Sequence, residues 1–130
     1  MRFLLDTDTI SFALRGQGGV AAELRRRSPS QVCTSSVVVG ELELGAARRG
    51  SRKLRRELDG LYSGLEVLPY DVEAARRYGR LAAGLLDAGV PIGVEDTMVA
   101  AHALSRGLTL VTHNRKHFER VKGLRVADWF

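Results

Sequence analysis

Cysteine is almost absent from this sequence, which contains a single one, Cys33. An internal disulfide is therefore excluded, and a zinc site built from a set of cysteines and histidines is excluded with it. The neighbours Gln31, Val32 and Thr34 predict a short strand around Cys33. In that strand we expect the thiol to act as a small apolar side chain of the core.

Long hydrophobic runs are also missing. Apolar stretches such as residues 37–39 are far shorter than the roughly 20 residues that a membrane-spanning helix needs. At the N-terminus, Asp6 interrupts the apolar run of residues 3–5 before that run could form the core of a signal peptide. We therefore expect no membrane segment and a cytoplasmic protein.

Aromatic residues are scarce, at 6% of the chain, and 20 basic residues outnumber 15 acidic ones, which leaves a formal net charge of +5. This positive charge predicts an anionic partner. Because few rings are present to stack on bases, a nucleic acid would be held mainly through its phosphate backbone.

The basic residues are concentrated in the segment 48–56, which reads RRGSRKLRR, and a smaller group occupies residues 25–27. Guanidinium groups suit contacts with phosphate because they donate two parallel hydrogen bonds. A solvated, charged helix surface is the alternative interpretation of the same run. The candidates for phosphate contact are Arg48, Arg49, Arg52, Lys53, Arg55 and Arg56.

Short apolar runs alternate with segments of helical period along the whole chain. The runs predict buried strands at residues 3–5, 65–68 and 108–111, and a last short strand at 125–126. The periodic segments, with their capping residues, predict helices after Asp6, at 35–48, at 51–62, at 71–89 and at 95–105. This alternation predicts one α/β domain over residues 1–130, with a mainly parallel central sheet flanked by helices.

Four polar residues occupy positions next to strand ends. Asp6 ends the first strand, Asn114 follows the strand at 108–111, and Glu41 and Asp96 lie in helices that begin after a strand or a loop. In a parallel sheet these positions can meet at the edge where ligands bind. Three carboxylates in one crevice need a neutralising cation, and all-oxygen ligands suit Mg²⁺ or Mn²⁺.

We therefore expect Asp6, Glu41 and Asp96 to hold a metal ion, with Asn114 as a neutral member of the same catalytic site. Each acid alone has a simpler explanation. Asp6 could start a turn, Asp96 could complement a helix dipole, and Glu41 could face solvent. His102 lies among alanines and is predicted to be packed in the core.

Four segments, in order and over nearly the whole chain, resemble the PIN-domain toxins of the VapC family. They are LLDTD at residues 4–8, SSVVVGELELGA at 35–46, PIGVED at 91–96 followed by AAHA at 100–103, and LVTHN at 110–114 with the closing residues to Trp129. Any one segment would be weak, but the four together are specific.

The resemblance implies an endoribonuclease that depends on Mg²⁺ or Mn²⁺, forms homodimers and is inhibited by a co-expressed VapB-like antitoxin. Residues 68–75 and 105–108 are especially similar to members that cut initiator transfer RNA in its anticodon stem-loop, so the implied substrate is tRNA. The basic residues of segment 48–56 would position the RNA backbone.

The sequence departs from the family at two positions. Many members carry Asn where this chain has Asp8, and many carry a fourth acid where it has Asn114. A PIN domain that binds RNA or a partner without cleaving it is therefore an alternative. A haloacid-dehalogenase-type phosphatase is a second one, because an Asp-Thr-Asp-Thr motif after an apolar strand fits its nucleophile, although a later Gly-Asp pair is missing.

Overall fold

The computed structural model describes all 130 residues and contains five strands and seven α-helices. The strands are β1 (Phe3–Leu5), β2 (Val32–Ser35), β3 (Glu66–Leu68), β4 (Thr109–Val111) and β5 (Val126–Ala127). The helices are α1 (Thr7–Leu14), α2 (Val20–Arg26), α3 (Ser36–Arg49), α4 (Arg52–Gly64), α5 (Val72–Asp87), α6 (Val94–Arg106) and α7 (Arg115–Phe118). No helix combines the length and the apolar character needed to cross a membrane.

The sheet has the order β3-β2-β1-β4-β5, and all four strand pairs are parallel. The prediction of an α/β fold with a mainly parallel sheet is confirmed. The central strand β1 pairs with β2 on one side and with β4 on the other. The order of the chain through the sheet therefore reverses at β1, and open α/β sheets bind their ligands beyond the carboxyl ends of the strands at such a point.

The core forms where the strands are buried on both faces. Every residue of β1, β2 and β4 is buried, which is why β1 and β4 are mainly apolar instead of alternating. The second half of β2 is polar, and the buried Thr34 hydroxyl donates a hydrogen bond to the Leu5 carbonyl. Cys33 is completely buried within β2, as predicted. His102 is also completely buried, and its Nδ1 is hydrogen-bonded to Ser35 Oγ at 2.8 Å. The expected packed core histidine is confirmed.

The helix ends follow the capping residues in the sequence. Ser35 caps α3 by accepting a hydrogen bond from the Val37 amide, and Asp71 caps α5 by accepting one from Ala74. The helices α3 and α6 both stop at a glycine in the left-handed region, Gly50 at φ 61° and Gly107 at φ 66°. A residue with a Cβ would be strained there.

Three local features differ from the prediction. The last strand lies one residue later than expected, at Val126–Ala127, and the helices α2 and α7 were not predicted. Both helices are short and bury a single residue each, so they carry no apolar period to detect. The basic group at residues 25–27 is partly structural, because the Arg27 guanidinium lies over the rings of Phe3 and Trp129 at 4.4 and 4.8 Å.

Candidate active site

Asp6 lies directly after the central strand β1 and caps α1. Its Oδ1 accepts a hydrogen bond from the Thr9 amide at 2.9 Å, and its own amide donates to the Val111 carbonyl at 3.2 Å. Burial raises the pKa of Asp6, although hydrogen bonds from Thr112 and Thr9 oppose the rise. Asp6 therefore caps a helix and also places a carboxylate at the carboxyl end of the central strand.

Glu41 projects from the second turn of α3, the helix that follows β2. The hydroxyl of Thr7 donates a hydrogen bond to Glu41 Oε1 at 2.7 Å and so ties the first turn of α1 to this carboxylate. Burial raises the pKa of Glu41, and the charges of Glu95, Asp6 and Asp8 raise it further. The side chain is half-buried and faces other acids instead of open solvent.

Asp96 is the third residue of α6 and completes the group. Burial raises the pKa of its carboxyl, the nearby His117 opposes that rise, and the charges of Glu41, Asp6 and Asp8 add to it. The charge of Asp6 acts on both Glu41 and Asp96, and that of Glu41 acts on Asp96, so the three carboxylates predicted as ligands lie near one another. No arginine or lysine is among the groups that perturb their pKa values.

The donor set of this crevice suits a hard divalent cation, since it consists of carboxylate oxygens without sulfur. In the present arrangement no group of three acidic, histidine or cysteine side chains lies close enough together to hold a metal ion. The role of Asp6, Glu41 and Asp96 as ligands stays a prediction.

Asn114 occupies the N-cap position of α7, just beyond β4. Its side chain contacts His117, which in turn lies beside the carboxylate of Asp96. Its Nδ2 donates to His117 Nδ1 at 2.9 Å, which leaves His117 Nε2 to donate to the Ile92 carbonyl. That Nε2 atom lies 3.6 Å from Asp96 Oδ2. Asn114 therefore orients the histidine that stands beside Asp96, and its own participation in catalysis stays a prediction.

The basic segment 48–56 is divided between two faces. Arg49 and Lys53 line a cavity that also contains Thr7 and Glu41. A second depression, next to the α3–α4 turn, is lined by Arg52, Arg55 and Arg56. Arg55 is already engaged there, because its guanidinium donates hydrogen bonds to the Glu43 carboxylate, which also accepts one from the Tyr62 hydroxyl.

A family model described as PIN domain matches residues 3–124. The chain belongs to the PIN-domain family. It is 38% identical over 130 residues to a protein named tRNA(fMet)-specific endonuclease VapC from Salmonella typhimurium, with 99% of this chain and 98% of the relative covered.

Two solved structures resemble this PIN domain over its full length. VapBC from Salmonella typhimurium bound to DNA has a TM-score of 0.91 at 38% identity and covers 100% of this chain and 99% of that chain. VapBC2 from Rickettsia felis bound to a DNA fragment from its promoter has a TM-score of 0.90 at 28% identity, with 100% of both chains covered. The predicted relationship to VapC is confirmed, and the phosphatase interpretation is excluded by it.

The sequence analysis did not identify Thr7 and His117, although Thr7 contacts Glu41 and His117 lies beside Asp96. Thr7 precedes Glu41 by 34 positions, so only the tertiary fold brings the two together. His117 lies three residues after Asn114, a spacing that brings side chains together on a helix. That signal could have found the pair, but the four-residue helix α7 is too short to show a pattern.

Proposed function

We propose that this PIN domain is a Mg²⁺- or Mn²⁺-dependent endoribonuclease that cleaves tRNA as the toxin of a toxin–antitoxin pair. The observation that carries the proposal is the group of three acids at the reversal point of the sheet: Asp6 at the N-cap of α1, Glu41 in α3 and Asp96 in α6. The charge of Asp6 raises the pKa values of Glu41 and Asp96, and a bound cation would offset this repulsion.

Asp6, Glu41 and Asp96 are the residues that would hold the ion. A divalent cation supplies two things to phosphodiester hydrolysis: it lowers the pKa of an attacking water, and it offsets charge at the reacting phosphate. Water attacks phosphorus in line, the bond from phosphorus to the 3′ oxygen breaks, and that oxygen takes up a proton. The products are a 5′ phosphate and a 3′ hydroxyl.

The residues around the acids hold them in position for this reaction. Thr7 fixes Glu41 through its hydroxyl, while the Thr9 amide fixes Asp6 at the start of α1. The hydrogen bonds from Asn114 and to Ile92 place the proton of His117 on Nε2, the atom that faces Asp96. Such supports preserve the geometry that the reaction needs.

Initiator tRNA is the substrate that we propose, with cleavage in the anticodon stem-loop. The support is the 38% identity to the Salmonella relative, whose name specifies tRNA(fMet), together with 39% identity to a relative of the same name from Shigella flexneri. A VapB-like antitoxin is the proposed protein partner, because both structural neighbours are VapBC complexes. A homodimer is part of the same proposal.

A PIN domain that binds RNA without cleaving it is the second candidate. The observation in its favour is the separation of the three acids, which are not close enough in this arrangement to hold an ion together. The neutral Asn114, where many family members carry a fourth acid, points the same way.

One experiment separates these candidates. Purified protein is incubated with total tRNA in the presence of Mg²⁺, Mn²⁺ or EDTA, and the RNA ends are mapped. We expect cleavage of initiator tRNA with either metal and none with EDTA, with 5′ phosphate ends. RNA binding without cleavage under any metal condition would establish the non-catalytic candidate instead.

A further inference from the structure

A cavity of about 600 Å³ lies between α1, α3 and α4. Thr7 and Glu41 line it, so the cavity reaches one of the three carboxylates that we propose as metal ligands. Three basic residues line it as well: Arg15, Arg49 and Lys53. They come from the end of α1, the end of α3 and the start of α4, and only the tertiary structure brings them together.

These three cations are nearly free of internal partners. Arg15 and Arg49 take part in no ion pair, and the exposed Lys53 makes only a loose contact, at 3.9 Å, with the half-buried Glu57, which also lines the cavity. Arg55 is different, because it is hydrogen-bonded to Glu43 and also forms an ion pair with Asp59. The charges on the cavity are therefore available to a ligand, whereas the most tightly bound arginine of the basic segment is not.

The start of α4 adds to the positive potential of the cavity. Ser51 caps this 13-residue helix and lines the cavity with Lys53. Its Oγ accepts a hydrogen bond from the Leu54 amide, so the hydroxyl proton of Ser51 is free to donate elsewhere. The amides of a helix N-terminus favour anions, and here they coincide with the side-chain cations.

We infer that this cavity is a phosphate-binding subsite for the RNA strand, in which Arg15, Arg49 and Lys53 hold a backbone phosphate next to the scissile one. The inference rests on the proposed function. An RNA strand carries a phosphate at every nucleotide, so a strand that reacts beside Glu41 must place a neighbouring phosphate nearby. The cavity is the cationic surface that adjoins Glu41.

An acidic segment of a protein partner could use the same cations. We favour RNA, because phosphates recur along a strand at fixed spacing and the cavity includes Glu41, one of the acids beside which the scissile phosphate would react. The subsite also predicts a role for Arg15, which lies 33 positions before the segment that the sequence analysis singled out. Arg15 is therefore the residue on which a test should focus.

The test measures the binding of initiator tRNA by fluorescence anisotropy in EDTA, between about 50 and 200 mM KCl. The variants are Arg15→Gln and the triple change Arg15→Gln, Arg49→Gln and Lys53→Gln. The controls are Arg48→Gln and the triple change Arg48→Gln, Arg52→Gln and Arg56→Gln, which remove the same charge from exposed positions outside the cavity. Melting temperatures confirm that every variant is folded.

We expect the cavity triple variant to bind tRNA about tenfold more weakly or worse, with a salt slope reduced by about 0.7 to 0.9, the amount that one lost phosphate contact removes. Arg15→Gln should weaken binding more than Arg48→Gln. Equal losses in the cavity and control variants would overturn the subsite. Unchanged tRNA binding with weaker binding of the co-expressed antitoxin would also overturn it, in favour of a protein partner.

Failure of the subsite and failure of the proposed function remain distinct in this design. Binding is measured in EDTA and does not depend on cleavage, whereas the proposed function is judged by cleavage of tRNA by the wild type with metal. A wild type that cleaves while all variants bind alike refutes the subsite alone. A wild type that binds through the cavity without cleaving refutes the nuclease alone.

Discussion

Glu41 and Glu43 lie two residues apart on α3, and their pKa values are shifted in opposite directions. Burial and the neighbouring acids raise the pKa of Glu41. Hydrogen bonds from Arg55 and from Tyr62 hold the pKa of Glu43 below its ordinary value. Residues two apart on a helix face different directions, so α3 separates an acidic crevice from a neutralised ion-pair network.

The same contrast extends to three acids outside α3. Asp6 and Asp96 share the raised pKa of Glu41, while Asp128 shares the lowered pKa of Glu43. An acid whose charge is matched by a cation or a donor stabilises the fold. An acid whose folded-state pKa is raised is harder to ionise in the folded protein than in the unfolded chain. Its charge therefore lowers the stability of the fold at neutral pH, and such an acid is suited to binding a cation.

The largest expected effect is that of Asp96→Asn, which should abolish cleavage with Mg²⁺ or Mn²⁺. Without metal, the melting temperature should be unchanged or higher. The folded-state pKa of Asp96 is raised, so its charged form disfavours folding as the pH rises through that value, and a neutral amide removes this cost. Cleavage assays and metal-free thermal unfolding near neutral pH measure the two effects.

The matched control for Asp96 is Glu95→Gln, which removes an exposed acid from the preceding position of α6. This control should keep most of the cleavage activity. Asp6→Asn and Glu41→Gln should behave like Asp96→Asn, since an asparagine can still cap α1 and a glutamine can still accept from Thr7. Near-full activity of Asp96→Asn would mean that Asp96 is not a metal ligand, so that a raised pKa would not distinguish metal-binding acids from structural ones.

The second effect concerns Asn114, the neutral residue at the crevice. Asn114→Asp adds a carboxylate on the side of Asp96 and should tighten Mn²⁺ binding to the RNA-free protein by about tenfold, the order seen for residues that support metal ligands. Asn114→Ala should bind Mn²⁺ no more tightly than the wild type. Calorimetric titration measures these affinities.

Cleavage assays on the same three proteins test whether Asn114 belongs to the site. The alanine variant loses the hydrogen bond to His117 Nδ1, so a change in its activity would show that His117 must be oriented. If metal affinity and cleavage are the same in all three proteins, Asn114 lies outside the functional site.

A third prediction concerns the stability contributed by Glu43, the acid of α3 whose pKa is lowered. Glu43→Gln breaks the charged contacts with Arg55 and weakens the hydrogen bond from Tyr62. The variant should unfold at a lower urea concentration than the wild type and keep its cleavage activity. The exposed Glu119, which has no ion pair, provides the control change Glu119→Gln, for which we expect no shift.

The folded-state pKa of Glu43 is lowered, so its contribution to stability is present above the ordinary value of 4.5 and is lost as the pH falls. The difference between Glu43→Gln and the wild type should therefore shrink in acid. A large loss of cleavage in a stable Glu43→Gln protein would contradict the division of α3 into two faces.

The sequence was sufficient for features that depend on local pattern. The buried strands were predicted because their runs are apolar on both faces, and the end of α6 was predicted because a glycine, Gly107, follows its last turn and adopts a positive φ. Asp6, Glu41 and Asp96 were expected to share one site because parallel strands place their carboxyl ends at one edge, and their role as ligands stays a prediction.

Features that depend on tertiary neighbours could not be predicted. The run of arginines in segment 48–56 gives no sign that Arg55 is held by Glu43, or that Arg49 shares a cavity with Arg15. A helical period shows that residues share a face, but it does not show which element packs against that face. The short helix α7 carries too few residues for any period.

The smallest expected effect is the pH-dependent contribution of Asp128, near the C-terminus. Its Oδ1 accepts a hydrogen bond from the Phe130 amide, and its Oδ2 is hydrogen-bonded to His113 Nδ1, each at 2.9 Å. Burial would raise the pKa of Asp128, but these hydrogen bonds and the charges of His113 and Arg115 outweigh it, and the pKa is lowered. The Phe130 carbonyl in turn accepts a hydrogen bond from the Gly19 amide, which ties this corner to the start of α2.

Because the folded-state pKa of Asp128 is lowered, its stabilising effect is full above the ordinary value of 3.8 and is lost as the pH falls through the lower folded value. Asp128→Asn should therefore melt below the wild type near neutral pH, and the two melting temperatures should converge in acid. Asp87→Asn, at an exposed position without an ion pair, should show no such convergence. A gap between Asp128→Asn and the wild type that is independent of pH would mean that lost packing, and not the charge of Asp128, stabilises the C-terminal corner.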